Sequence, residues 1–219
     1  MWGAVEMPVP TKEEMRRALV ERHGEVLQKR FEGASVAVCG LGGLGSNIAI
    51  SLARAGVGRL HLIDFDRVDL SNLNRQQYAV AQLGMEKTAA LKQNLLAAAP
   101  YCHIRTDTVR VTADNLARLL EEDDIICEAF DDAEAKAMLV DGVLARLPGK
   151  YLVAGSGMAG IGSPNDIQTR RVTSRFYLCG DGVSDVDEGI GLVAPRVMRC
   201  AAHQALTVLR ILAGEDYLN

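Results

Sequence analysis

The chain has 219 residues, of which 48% are hydrophobic and 24% are charged, and its formal net charge at pH 7 is -4. This length suffices for one sizeable core, so we expect one domain over residues 33–219, preceded by a helical extension over residues 1–32. The small negative charge offers no broad basic surface, which disfavours DNA or other nucleic acid as the main partner. Since neither a secretion signal nor an apolar run of about 18 residues stands out, we expect a cytoplasmic protein that does not bind membranes.

The N-terminal segment from Thr11 to about Phe31 has the pattern of a helix. Its apolar residues recur at helical spacing among charges, and Thr11 with Glu14 matches a capping box. Gly24 is the expected point of interruption. A βαβ unit follows, with SVAVCG as a strand, residues 46–55 as a helix and GRLHLID as a second strand.

Helices and strands continue to alternate as far as Gly155. The pattern predicts helices over residues 85–99, 113–120 and 133–147, and strands over residues 103–109, 124–127 and 150–155. It therefore predicts an α/β, Rossmann-like fold, a mostly parallel sheet with helices on both faces.

The C-terminal third has a different pattern. DIQTRRVTSRFYLCG alternates like one or two antiparallel strands, which predicts an antiparallel extension of the sheet, and a last helix should cover residues 195–213. Between them, GDGVSDVDEGIG is acidic and rich in glycine. Long loops of this kind are usually functional or disordered, so we expect mobility and partner contact there.

A glycine motif lies between the first strand and the next helix. Gly40, Gly42, Gly43 and Gly45 form a G-x-G-x-x-G pattern, whose backbone can approach a phosphate at the positive end of a helix. Asp64 ends the second strand, where a carboxylate can accept hydrogen bonds from ribose hydroxyls. These features suit NAD and ATP equally, so an NAD-dependent oxidoreductase remains an alternative.

The segment after Asp64 favours ATP. It supplies Asp66, Asn72 and Arg75 beyond the carboxyl end of the strand, and Lys87 begins the next helix. Two fixed cations beside a phosphate loop suit adenylyl transfer, which concentrates charge on phosphoryl oxygens, whereas dinucleotide binding requires no such pair. The residues alone leave open that Arg75 and Lys87 are ordinary solvated charges.

GLGGLGSNIAISLARAGVGRLHLIDFDRVDLSNLNRQ resembles the ThiF/MoeB/HesA family, bacterial relatives of ubiquitin-activating enzymes. The resemblance implies an ATP-binding adenylation domain in which Gly42 and Gly43 approach the phosphates and Asp64 holds the ribose. It also implies that Asn72, Arg75 and Lys87 contact the triphosphate. Gly40, Gly45 and Asp66 complete the expected nucleotide site.

An acidic motif of the family corresponds to Glu128-Ala129-Phe130-Asp131-Asp132. The resemblance implies that Asp131 is a catalytic carboxylate linked to Mg²⁺, whereas chemistry alone says that it could bind Mg²⁺ or cap the next helix. Many relatives carry Cys-x-x-Cys pairs for zinc. This chain has none, so it resembles a short ThiF subfamily and we expect no zinc.

Two further residues are candidates at the edge of the site. Some relatives use a cysteine to attack the acyl-adenylate, and Cys179 is the best candidate here because it is expected in a loop among polar residues and glycines. Cys39 and Cys127 on apolar strands and Cys200 in a helix fit inert buried thiols better. In the MoeB-like dimer an N-terminal arginine reaches the partner's ATP, which makes Arg22 a candidate in a homodimer.

The expected reaction is adenylation of the C-terminal glycine carboxylate of a small ubiquitin-like sulfur-carrier protein. A ThiS-like carrier in thiamine synthesis is favoured over a MoaD-like carrier because the short form resembles ThiF, and a sulfur donor protein is a further possible partner. Activation of a tRNA-borne carboxylate and a non-catalytic ATP-binding scaffold are the remaining alternatives.

Overall fold

The computed structural model describes residues 9–186 and 189–215. Those residues form seven strands: β1 (Ser35–Cys39), β2 (Arg59–Ile63), β3 (His103–Asp107), β4 (Ile125–Glu128), β5 (Tyr151–Gly155), β6 (Gln168–Arg171) and β7 (Phe176–Gly180). They make one sheet in the order β3-β2-β1-β4-β5-β7-β6. All neighbours are parallel except β6, which is antiparallel to β7. The predicted parallel sheet with an antiparallel C-terminal extension is confirmed.

The described residues also form seven α-helices: α1 (Lys12–His23), α2 (Glu25–Gly33), α3 (Gly43–Arg54), α4 (Lys87–Ala98), α5 (Leu116–Leu120), α6 (Ala133–Arg146) and α7 (Ala194–Ala213). Short 3-10 helices lie at Leu70–Asn72, Val80–Gln82 and Pro164–Asp166. Each predicted helix is present with shifted ends. The α5 helix starts three residues later than predicted, because a turn in which the backbone N–H of Thr112 donates to Asn115 Oδ1 at 2.8 Å precedes it.

Helices cover both faces of the sheet, as predicted. Val36 and Val38 of β1 pack in a core with α3, α4 and α7, whereas Ala37 and Cys39 pack in a second core with α5 and α6. Successive strand residues point to opposite faces, so a strand covered on both sides is apolar throughout. All five residues of β1 are accordingly buried.

The N-terminal segment divides into two helices at Gly24, whose φ is 86°. The capping box of α1 is confirmed, since the backbone N–H of Glu14 donates to Thr11 Oγ1 at 3.2 Å and that of Thr11 donates to Glu14 Oε2 at 2.8 Å. The α2 helix packs against α7 and ends one residue beyond the predicted extension. The division into an extension and a main domain stays a prediction.

The α7 helix lies along α3, the helix that begins in the glycine motif. Its buried side carries small and branched residues such as Val197, Ala201 and Val208. No helix in the described ranges is both long and apolar enough to cross a bilayer. Asp187 and Glu188 of the predicted acidic loop lie outside the described residues.

Candidate active site

A cavity of about 670 Å³ opens at the carboxyl ends of the central strands. Its walls come from segments that follow β1, β2, β3, β4 and β5 and from the start of α7. The chain leaves β1 toward β2 on one side and later enters β4 on the other side. Ligands of open parallel sheets bind at such a reversal of strand order.

Glycine is required at several positions of the motif. Gly40 has a φ of 90°, and a Cβ there would lie 2.7 Å from the carbonyl oxygen of Ala129. A Cβ on Gly45 would lie 1.8 Å from the carbonyl oxygen of Gly40, so Gly45 allows α3 to pack against the loop. Gly40, Gly42 and Gly43 line the cavity, whereas Gly45 is buried behind them.

The α3 helix starts at Gly43, three residues earlier than predicted, and its first turn borders the cavity. No side chain of a described residue caps this end of the helix. The first N–H groups of a helix have no partner within the helix and carry a partial positive charge. This end of α3 is therefore suited to an anion such as phosphate.

The Asp64 carboxylate is buried at the end of β2. Its Oδ2 accepts from the backbone N–H of Leu41 at 2.6 Å, and its Oδ1 accepts from that of Asp66 at 2.8 Å. Asp64 thereby fixes the glycine loop relative to the segment after β2 while still lining the cavity. A carboxylate oxygen has two lone pairs, so each oxygen can accept one more hydrogen bond.

Lys87 is buried at the start of α4 and forms an ion pair with Asp66, with Nζ 2.9 Å from Oδ2. Both residues line the cavity. The ammonium group has three donors, so the ion pair leaves it able to bind a second acceptor.

Arg75 lies on the wall nearest α7. Its Nη1 donates to Asn74 Oδ1 at 2.8 Å and to the carbonyl oxygen of Ser71 at 3.3 Å. Its Nε is buried and has no partner among the described residues. Asn72 lines the same wall and accepts from the backbone N–H of Asp69 at 3.3 Å.

The acidic motif separates into three different roles. Glu128 is fully buried and paired with Lys136, whose Nζ lies 2.7 Å from Oε2. Asp132 caps α6 by accepting from the backbone N–H of Ala135 at 2.7 Å. Asp131 is exposed, lines the cavity and has no side-chain hydrogen bond to another described residue. Asp132 also lines the cavity, but of the three acidic side chains in the motif only that of Asp131 has both carboxylate oxygens free of hydrogen bonds to described residues.

Several lining residues escape sequence reasoning. Phe65 and Arg110 form a stacked pair at one end, with the guanidinium carbon 3.9 Å from the ring centroid, and Val109 and Val111 flank them. Lys136 also lines the cavity, and its Nζ donates to the carbonyl oxygen of Gly155 at 2.9 Å. The sequence gives one indication that Lys136 belongs to the site. It lies in the first turn of the helix after the acidic motif, and that turn faces the carboxyl edge of the sheet.

Cys179 does not lie in a loop, and that prediction is wrong. It belongs to β7, which pairs with β5 as well as β6, so the strand extends to Gly180 and the thiol is buried. Burial raises the pKa of Cys179 to about 11, although hydrogen bonds with Thr169 and Thr207 lower it in part. A buried, protonated thiol outside the cavity lining is poorly placed as a nucleophile.

The other cysteines are free thiols as well. Cys39, Cys127 and Cys200 are buried, as predicted, and burial raises the pKa of each. Among the residues that the structure describes, no three His, Cys, Asp or Glu side chains come together as a metal cluster. Arg22 is exposed on α1, and its contact with a partner subunit stays a prediction.

Residues 15–219 match the ThiF family. The chain belongs to the ThiF family. One relative, the sulfur carrier protein adenylyltransferase of Thermus thermophilus, is 34% identical over 151 residues, which are 67% of this chain and 55% of that protein. Another, the adenylyltransferase and sulfurtransferase MOCS3 of Culex quinquefasciatus, is 30% identical over 219 residues, covering 92% of this chain and 47% of that protein. This ThiF-family chain thus spans about half the length of these curated relatives.

The fold also matches solved structures. The Escherichia coli tRNA N6-threonylcarbamoyladenosine dehydratase TcdA, in complex with AMP, superposes with a TM-score of 0.83 at 22% identity, covering 95% of this chain and 99% of that chain. Its ATP complex gives the same score and identity. At this identity, the match demonstrates that the ThiF-family chain shares the fold.

Proposed function

We propose that this protein uses ATP to adenylate the C-terminal carboxylate of a small ubiquitin-like sulfur-carrier protein. The observation that carries the proposal is one cavity that joins a phosphate-binding loop, a buried carboxylate at Asp64, the cations Arg75 and Lys87, and Asp131. Membership of the ThiF family and the names of the relatives from Thermus and Culex support it. A ThiS-like carrier in thiamine synthesis is the proposed substrate.

The proposed roles follow from the geometry. The N-terminal end of α3 with Gly42 and Gly43 would hold the phosphates, and Asp64 would accept from ribose hydroxyls through its remaining lone pairs. The buried Nε of Arg75 has no partner among the described residues, and Lys87 has donors beyond its bond to Asp66. Both cations would stabilise charge on the phosphoryl oxygens.

The reaction needs no protein nucleophile. A carboxylate oxygen of the carrier forms a bond to the α-phosphorus while the bond from that phosphorus to the bridging oxygen of pyrophosphate breaks. The products are an acyl-adenylate and pyrophosphate, and no proton has to move. Orientation of the two reactants and stabilisation of charge supply the catalysis.

Asp131 is the residue that would hold Mg²⁺. Mg²⁺ commonly binds through one or two carboxylates together with phosphate oxygens and water. The exposed carboxylate of Asp131 in the cavity fits that donor set, since the nucleotide would supply further oxygens. The ion would neutralise charge on the phosphates.

The first test compares Arg75→Ala and Asp131→Ala with the wild type. Each variant should lower formation of the AMP–carrier adduct, and carrier-dependent exchange of pyrophosphate into ATP, by about 100-fold or more, because each removes charge stabilisation. Intact-mass measurement of the carrier detects the adduct. Arg118→Ala and Asp114→Ala, exposed residues outside the cavity lining, are the matched controls. Normal adduct yield in both site variants would refute the site assignment.

Activation of a tRNA-borne carboxylate is the second candidate function. The match to TcdA favours it because that match covers nearly all of both chains, whereas the matches to the Thermus and Culex relatives cover about half of those proteins. Running the same exchange assay with tRNA in place of the carrier separates the two candidates. Binding of NAD without any ATP–pyrophosphate exchange would instead favour an oxidoreductase.

The same proposal includes three further features. They are a homodimer in which Arg22 enters the partner's site, a cytoplasmic location and a separate sulfur donor protein. The family resemblance supports the first, and the proposed sulfur chemistry requires a donor.

A further inference from the structure

Two loops that hydrogen-bond to each other form part of the cavity wall outside the glycine loop. One loop follows β5 and contributes Gly155 through Ala159, and the other follows β7 and contributes Ser184 through Val186. We infer that the buried ion pair between Arg196 and Asp181 positions these loops to receive the carboxyl end of the acceptor. The inference rests on the proposed function and adds two positioning residues to it.

Arg196 binds both loops at once. Its Nη2 lies 2.6 Å from Asp181 Oδ2, and its Nη1 donates to the carbonyl oxygens of Gly162 at 2.9 Å and Ser163 at 3.0 Å. The Arg196 side chain is 7% exposed and that of Asp181 is 5% exposed. Because Arg196 is in the first turn of α7, the pair fixes both loops to the helix that packs on α3.

Asp181 continues the connection toward the cavity. Its Oδ1 accepts from the backbone N–H groups of Val183 and Ser184, each at 2.9 Å. Ser184 Oγ in turn accepts from the backbone N–H of Ala159 at 3.0 Å. Since Ser184 and Ala159 both line the cavity, the ion pair and these bonds hold the two loops together as one part of the cavity wall.

The space around the ion pair is tightly filled. A Cβ on Gly157 would lie 2.0 Å from Asp181 Oδ1, so the carboxylate fits only against a glycine. Three of the five lining residues from Gly155 to Ala159 are glycine or alanine, and the other two are Ser156 and Met158. Such a wall suits an extended backbone that ends in small residues better than it suits a bulky ring.

The ion pair is separate from the nucleotide end of the cavity. The glycine loop, Asp64 and Lys87 lie on the segments after β1 and β2 and on α4, whereas Arg196 and Asp181 bond to the loops after β5 and β7. Loss of the pair should therefore weaken use of the acceptor far more than it weakens binding of ATP.

The test measures steady-state adenylation of the carrier by Arg196→Met, Arg196→Lys and Asp181→Asn. Arg196→Met should raise the carrier KM by about tenfold, because small losses of alignment carry large kinetic costs, with a smaller change in kcat. Arg196→Lys should recover part of the loss, since a single ammonium cannot reproduce the planar fork that serves three acceptors. The ATP dissociation constant should stay within about twofold of the wild type.

Arg199→Met is the matched control, because Arg199 is exposed on the same helix. Removing one partner of a buried pair can also prevent folding. The double variant Arg196→Met with Asp181→Asn leaves no unpaired charge and should show the same rise in carrier KM. Hydrogen exchange should increase in residues 156–163 and 181–184 and stay unchanged in the glycine loop.

Two results would overturn the inference while leaving the proposed function intact. One is an unchanged carrier KM in folded variants, and the other is a parallel loss of ATP binding, carrier binding and thermal stability. A wild-type protein that forms no adduct with any carrier would overturn the proposed function instead, and with it the assignment of these two loops to a carrier.

Discussion

Asp64 joins two backbone segments through one side chain. Because its oxygens accept from Leu41 and Asp66 at 2.6 and 2.8 Å, the glycine loop is fixed relative to β2 without any ligand. Groups held in place beforehand lose little entropy when a substrate binds. The same carboxylate that would hold the ribose thus also shapes the phosphate loop.

Replacement of Cys179 by alanine should leave both the formation and the later consumption of the AMP–carrier adduct within about twofold of the wild type, because at a pKa of about 11 roughly one thiol in ten thousand is ionised at pH 7. Iodoacetamide should label Cys179 in the unfolded protein and leave it unlabelled in the native protein near neutral pH. Peptide mapping by mass spectrometry makes both measurements. Accumulation of the adduct in a folded Cys179→Ala variant, together with loss of a carrier–protein thioester that the wild type forms, would restore the nucleophile hypothesis.

The candidate site is predictable where its residues form a continuous pattern. The predicted site residues from Gly40 to Arg75 belong to one continuous motif, and all of them except Gly45 line the cavity. Lys136 and Arg196 carry no such pattern, because their partners Glu128 and Asp181 become neighbours only after the helices pack on the sheet. The loop predicted for Cys179 is wrong because the strand continues through it, and its burial comes from pairing of β7 with both β5 and β6.

At the scale of elements, the packing of α3 against the glycine loop depends on Gly45. Gly45→Ala should lower the free energy of unfolding by about 3 kcal/mol or more, since its Cβ would meet the backbone oxygen of Gly40 at 1.8 Å and backbone cannot move aside cheaply. Urea denaturation followed by circular dichroism measures the change.

Gly33→Ala is the control for that change. Gly33 lies at the end of α2, and a Cβ there would meet nothing within 4 Å. Alanine in a helix is more favourable than glycine by up to about 1 kcal/mol, so this variant should be neutral or slightly stabilised. Equal destabilisation of the two variants would contradict the packing role of Gly45.

The order of elements could be predicted and several of their ends could not. Apolar runs bounded by turn residues predict the five strands up to Gly155 and one or two strands after it, because the strand residues that are buried are apolar. The α3 helix begins at Gly43, before its predicted start, since packing on α7 overrides the low helix propensity of glycine. The α5 helix begins after its predicted start because Asn115 closes a turn instead.

At the scale of the whole molecule, lowering the pH should remove the contribution of Asp181 to the free energy of unfolding. Burial raises its pKa, but hydrogen bonds from Ser184, Val183 and Arg196 outweigh burial and lower the pKa from 3.8 to about 2. A carboxylate with a lowered pKa stabilises the folded state above its ordinary pKa. That contribution should be lost as the pH falls from about 4 to about 2.

The measurement compares urea unfolding of the wild type with that of the Arg196→Met, Asp181→Asn double variant at several pH values. The difference in unfolding free energy between the two proteins should be constant above about pH 4. Below that pH, the wild type should lose stability relative to the double variant. A difference that does not vary with pH would contradict the role of the carboxylate.

The packing of α7 on α3 also bears on the order in which the protein can fold during synthesis. The glycine loop and α3 leave the ribosome early, yet the helix that covers Ile48 and Leu52 is translated long after them. Contacts between distant parts of a chain form slowly, and uncovered apolar surface is prone to aggregate. The nascent chain therefore carries an open apolar surface on α3 for most of its translation, until α7 arrives to cover it.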